Sequence, residues 1–304
     1  MARAIYAADQ PPSFLAGWTS RLAVFCVVLL AVTLVLHRLL SLPTAIALNI
    51  LAVSLAGAVL SLVMAVVAGL DVWMTGRQGT PRIVVGATLA LALLAIPASL
   101  FVMSKEHPPI NDITTDTDRP PEFAATAASR SAGSNPTAYP GDKFANLQHR
   151  FYPDIKPLAV PRPADEAYEL VLQALAKLHY KIKSSDPPGT KDETSGTIEF
   201  TDYTLILGFA DDIAIRVADV SADSGGSIID VRSASQFGRY DFGANVERIR
   251  IILREIVGRL EASVPSAIPG DAKPIAKGDR QRLKRQPGRD LESKEDRKPR
   301  RPAQ

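Results

Sequence analysis

Between Leu22 and Met103 the chain carries three long uncharged apolar runs, broken only by His37 and Arg38 and by the stretch 71–82. After Lys105 no comparable run recurs. A hydrocarbon core about 30 Å thick takes roughly 20 apolar residues of helix. The run 42–70 exceeds that length and 83–103 matches it. The run 22–36 is short, but His37 and Arg38 can snorkel to the interface and let residues 39–42 complete the span. The pattern therefore predicts membrane helices near 18–42, 44–70 and 82–103. A secretory signal peptide is the rival reading of the first run, since Arg21 precedes an apolar stretch of suitable length. Another membrane segment follows directly, with no small-residue cleavage site before a polar chain, so a retained helix is expected.

Downstream the period changes. Residues 104–160 are rich in Pro, Thr, Ser, Ala and Asp with little apolar periodicity, which predicts an extended connector lying partly on the surface of the next domain. Asp112, Asp116 and Asp118 resemble a calcium loop, but the Gly and closing Glu of such a loop are missing, and turn formation explains them. Residues 164–178 put Tyr168, Val171, Leu172, Leu175 and Leu178 on one helical face, with Asp165 and Glu166 in the first turn. Strands are predicted at 179–184, 196–201, 211–219 and 227–235, the last two as a hairpin, and a final helix at 243–262. The expected fold is thus three N-terminal transmembrane helices followed by a soluble α+β domain over 161–264. That domain would be an antiparallel sheet of about four strands with two helices.

Within the hairpin, Ile213, Ile215 and Val217 point to one face, while Asp212, Ala214 and Arg216 point to the other. On the partner strand Ile229 and Val231 face the core, and Asp230 and Arg232 face away. A turn centred near Asp223 places Arg216 opposite Asp230 and Arg232 diagonal to Asp212. Asp212, Arg216 and Asp230 then serve as structural ion pairs on an exposed face, each pair worth a fraction of a kcal/mol.

Charge adds orientation. Arg3, Arg21, Arg77 and Arg82 fall on one side of the three spans, and Arg38, Lys105 and Arg119 on the other. The bias favours a cytoplasmic N-terminus and an external domain. No Asp, Glu or Lys lies inside a span, which argues against ion-coupled transport. Small residues four apart in the second span (Ala52 and Ala56, Ser54 and Ala58, Gly57 and Ser61) permit close packing with a helical partner or a second copy. The last segment, 265–304, has hardly any large apolar residue and twice as many basic as acidic residues. It is expected to be a disordered tail that could touch anionic lipid or an anionic envelope polymer. Nucleic acid is not an expected partner of an external tail. The single cysteine, Cys26, lies in the first span and gives no information on compartment.

Candidate chemistry concentrates at the strand-to-helix junction. Arg232, Ser233, Ser235, Arg239, Asp241, Asn245 and Arg248 crowd residues 232–248, with Asp241 placed as a helix N-cap. A helix start flanked by arginines and hydroxyls suits an anion or a partner. No catalytic residue is assigned: the four histidines stand in no motif with the serines, and GxSxG, SxxK and HExxH are absent. No metal or other cofactor is implied. The strings DDIAIRV and DVRSASQFGRYDFGANVERIR resemble the signature of the bacterial domain of unknown function 1499 family. HPPINDITTDTDRPPEF and YPDIKPL resemble the family's N-terminal half, and LDVWMTGRQG followed by an apolar span with Pro97 resembles its membrane-bound members, so the likeness covers most of residues 40–262. One departure is Gln236, where the family pattern usually has arginine. The resemblance implies a protein of the bacterial envelope and implies no activity. Three functions stay open: a non-catalytic binding or assembly protein of the inner membrane, a hydrolase-like enzyme using Ser233 or Ser235, and a purely structural membrane protein.

Overall fold

In the computed structural model, which describes residues 11–189, 195–204, 207–220 and 225–263, the apolar runs form α1 (Phe14–Leu40), α2 (Thr44–Thr75) and α3 (Thr80–Met103). All three are long and apolar enough to cross a membrane. Each extends past or shifts from its apolar run because capping, not hydropathy, sets the ends. Ser13 Oγ accepts the Ala16 N–H at the start of α1, and Ser41 in the left-handed region ends it. Gly76 in the left-handed region stops α2.

Small side chains draw the helices together. Ala47, Ser54, Ala58, Ser61, Ala65 and Ala68 form one buried stripe on α2. It meets a matching stripe on α1 that includes Ala16, Thr19, Ala23 and Cys26. Ser61 Oγ donates to the Thr19 carbonyl at 3.0 Å, a bond available only where backbones approach closely. Gly86 of α3 lies against the same Thr19: an added Cβ would stand 2.9 Å from its carbonyl carbon and oxygen. The face carrying Ser54, Ala58 and Ser61 is thus occupied within the bundle, whereas Ala52 and Ala56 are exposed.

The soluble part contains β1 (Asp112–Thr114), α4 (Asp142–Phe151), β2 (Leu158–Val160), α5 (Ala164–Lys177) and β3 (Ile182–Asp186). It continues with β4 (Ser195–Tyr203), β5 (Ala210–Asp219), β6 (Ser227–Ser235) and α6 (Ala244–Ser263). The sheet has six antiparallel strands in the order β1-β6-β5-β4-β3, with β2 also on β6, rather than the expected four. The two additional strands come from residues 104–160, the segment expected to be a connector. They are three residues each, too short to show a period in the sequence, yet they close the outer edge of β6. The hairpin register is as expected, with Arg216 opposite Asp230 and the strands centred on residue 223.

One face of the sheet carries Ile198, Phe200, Ile213, Ile215, Val217, Ile229 and Val231, packed under α5 and α6 with Tyr168, Leu175, Ile249, Ile252 and Ile256. Ile110 and Ile113 complete this core from the expected connector. The other face is polar and was expected to meet solvent. Instead residues 115–137 lie across it, with Phe123 packed on Ala214 and Ala234. Asp212, Asp230 and Arg232 are consequently buried. The basic tail, 265–304, lies outside the described residues.

Candidate functional site

The alternation of β6 decides what the 232–248 junction can be. Successive residues of a strand face opposite ways, so Arg232 projects to the covered polar face. Ser233 and Ser235 project to the helix face beside α6. The seven candidate residues therefore divide between two separate networks and an exposed loop.

On the polar face Arg232 is 2% exposed. Its Nε and Nη2 donate to the two carboxylate oxygens of Asp112 at 3.0 and 2.7 Å. Nη1 and Nη2 also donate to the carbonyls of Pro121 and Thr137 at 3.0 and 2.8 Å. The guanidinium lies 4.4 Å over the Phe123 ring. Burial pushes the Asp112 carboxyl up while Arg232 pulls against it. Arg232 does not pair with Asp212, as the open-hairpin geometry suggested, because β1 brings a carboxylate closer.

Asp212 is fully buried and takes its counter-charge from Arg130, whose Nε donates at 2.7 Å. Thr201 Oγ1 and Gln236 Nε2 donate to it as well, at 2.7 and 3.0 Å. Gln236 thus contacts Asp212 through an amide while Arg130 brings the charge. Arg216 Nη2 bridges Asp230 at 2.8 Å and Asp116 at 2.9 Å. Asp116 also accepts the Asp118 and Arg119 N–H groups, so the expected turn and an ion pair coexist. Asp112, by contrast, belongs to a strand and a buried pair, not to a turn. Glu199, unremarked in the sequence, accepts from the N–H groups of Ala124, Ala125 and Thr126 and from the Thr126 hydroxyl at 2.7–3.0 Å. Burial opposes its charge, and these donated bonds outweigh burial and hold it below the ordinary value.

On the helix face Arg248 reaches four acceptors. Nε donates to Asp202 at 3.0 Å and Nη2 to Asp211 at 2.7 Å; Nη1 donates to Ser233 Oγ and Asn245 Oδ1 at 3.0 and 2.9 Å. Burial works against the guanidinium, and Asp211 and Asp202 outweigh it and raise its pKa. Ser233 Oγ donates to Asn245 Oδ1 at 2.6 Å, and Asn245 Nδ2 donates to Ser235 Oγ at 3.0 Å. Asp241 stands two residues before the N-cap position, since α6 starts at Ala244. Its carboxylate still accepts the Gly243 and Asn245 N–H groups at 3.0 and 3.1 Å. Burial pushes it up against those bonds. Phe242 and Gly243, both at positive φ, make the tight turn this requires.

Arg239 alone among the seven is exposed. It borders a groove of about 670 Å³ with Tyr139, Pro140 and Phe144 and makes no ion pair among the described residues. Among those residues no group of three or more His, Cys, Asp or Glu is arranged to hold a metal.

Of the missed partners (Asp112, Arg130, Glu199, Asp202 and Asp211), Asp112 had a signal: Arg232 lies in a strand and must find a carboxylate if its face is covered. The others answer to Asp212, to backbone N–H groups and to the helical Arg248, which no local pattern points to.

Residues 112–256 match the family model described as "Protein of unknown function (DUF1499)". The match begins at β1, inside the segment expected to be a connector. Among curated proteins none matches this chain. Among solved structures, the crystal structure of TTHA0849 from Thermus thermophilus is similar at 10% identity and a TM-score of 0.21. That likeness covers 36% of this chain and 96% of the other. Residues 112–256 thus carry the likeness to this family, behind three helices fit to cross a membrane.

Proposed function

We propose that this is a multi-pass protein of a bacterial inner membrane, with a cytoplasmic N-terminus and a periplasmic domain, acting in the envelope by binding or assembly rather than by catalysis. One observation carries the non-catalytic reading. The serines, arginines and carboxylates that a reaction would use are engaged with one another. Ser233 and Ser235, the candidate nucleophiles, meet an asparagine amide and an arginine. Neither removes a hydroxyl proton at neutral pH, so the serines have no activating base beside them among the described residues. The junction 232–248 then acts mainly as scaffold, with Arg239 as its one free cation among the described residues. The bacterial envelope is supported by the family resemblance, and the orientation by the arginines that flank the helices. Basic residues of the 265–304 segment would add attraction to anionic lipid or an envelope polymer.

Alkaline phosphatase fused after Ser263 should be active in cells. A silent fusion, with an active cytoplasmic reporter at the same point, would reverse the orientation. For the chemistry, a Ser233→Ala/Ser235→Ala double variant should complement a deletion of the gene. Failure of that variant while it remains folded would restore the enzyme reading.

A further inference from the structure

Where the end of the helical bundle meets the domain, a cavity of about 800 Å³ opens between the α1–α2 linker and the β3–β4 edge of the sheet. Its charged lining is Arg38, Lys181, Lys183 and Asp202, joined by His37 and His179. Asp202 is already held by Arg248 at 3.0 Å. Arg38 and Lys181 make no ion pair among the described residues. Lys183 sits at the bulge between Ile182 and Ser184, which re-aims an edge-strand side chain, and among the described residues its ammonium reaches only the Ser129 hydroxyl. Among the described residues the cleft is therefore a concave site with three cations and no free carboxylate.

Its walls are held in place. The His37 ring stands 6.0 Å from the Phe209 ring, and its Nδ1 lies 2.7 Å from the Leu42 carbonyl. That contact commits one ring nitrogen as a donor, and Nε2 is buried without a partner among the described residues. Gly208, at φ +68°, lets the Arg38 side chain lie against the chain: a Cβ there would come within 3.3 Å of Arg38 Cδ.

Position selects the occupant. Helices of 27, 32 and 24 residues are about 40, 48 and 36 Å long, against a hydrocarbon core of about 30 Å. Their ends reach the phosphate layer, and Arg38 lies in the last turn of α1. Leu39 and Leu40 beside it are exposed, as acyl-chain contacts would be. Tyr203, at the cavity rim, is exposed where an interfacial aromatic belongs. We propose that this cleft binds the phosphate head group of an anionic phospholipid, with Arg38 forking onto the phosphate oxygens and Lys181 and Lys183 neutralising the remaining charge. The inference rests on the helices spanning a bilayer, but not on which side the domain faces.

The test is lipid retention. The full chain is purified in mild detergent from a mixed phosphatidylethanolamine and phosphatidylglycerol membrane, washed with salt, and its bound lipid counted by mass spectrometry. The wild type should retain phosphatidylglycerol in excess of its share of the membrane. An Arg38→Gln/Lys181→Gln/Lys183→Gln variant should lose roughly tenfold or more of that retention. An Arg119→Gln/Lys143→Gln/Lys156→Gln variant, with the same charge change at sites away from the three cleft cations, should retain it. Equal retention by a folded cleft variant, or equal loss in the control, overturns the proposal. So does inorganic phosphate binding to the wild type without lipid enrichment, which would make the ligand a soluble anion. Resistance to alkaline carbonate extraction tests the membrane-spanning reading separately, so its failure is distinguishable from failure of the lipid site.

Discussion

A buried arginine is stable only as part of a pair, and that sets the expected outcome at Arg232. Arg232→Ala leaves the Asp112 carboxylate unpaired in the interior and should cost about 3–5 kcal/mol by thermal unfolding. Arg232→Met combined with Asp112→Leu should recover much of that loss, since an apolar replacement of both partners leaves no stranded charge. An effect of the single variant on phenotype with unchanged stability would instead make Arg232 a binding residue. Glu199 carries the clearest pH dependence. Its folded-state pKa lies below the ordinary value of 4.5. Its stabilisation is therefore complete above that value and is lost as pH falls through the folded-state value. Glu199→Gln presents an amide N–H₂ to a set of donors and should cost about 1–3 kcal/mol at pH 7. The difference from wild type should shrink as melts are repeated below pH 4.5.

At the scale of elements, the three-residue strands matter most. β1 supplies Ile113 to the core and Asp112 to Arg232, and residues 115–137 cover a face that carries buried charge. A chain beginning at residue 161 should therefore fail to show cooperative unfolding by circular dichroism, while one beginning at residue 104 should show it. Equal folding of both would return the 104–160 segment to the role of a connector. Long periodic elements were legible: the helix at 164–178 and the strand pair with its register follow from alternation alone. β1 and β2 were not, because three residues carry no period and their pairing is with β6, more than a hundred and about seventy residues away respectively. In the bundle, Gly86→Ala places a methyl against the Thr19 backbone at 2.9 Å and should destabilise it by about 1–3 kcal/mol in detergent melts.

For the whole molecule, the three apolar runs decide that the chain is built to sit in a bilayer, because hydrocarbon length and the absence of charge are readable residue by residue. Up-down-up connectivity then puts the ends of α1 and α3, and so the domain, at the same end of the bundle. The hairpin register and the apolar sheet face are equally local properties of the sequence, and so they too were readable. Tertiary structure decided the rest. Whether the polar sheet face met water or protein depended on where residues 115–137 went, a choice made by many weak long-range contacts and not by any local period. That choice turned presumed surface ion pairs into buried ones and divided the 232–248 junction between two faces. It also left cations without an ion pair among the described residues where no motif pointed, at the seam between helices and domain, because a cavity's lining is assembled from segments far apart in the chain.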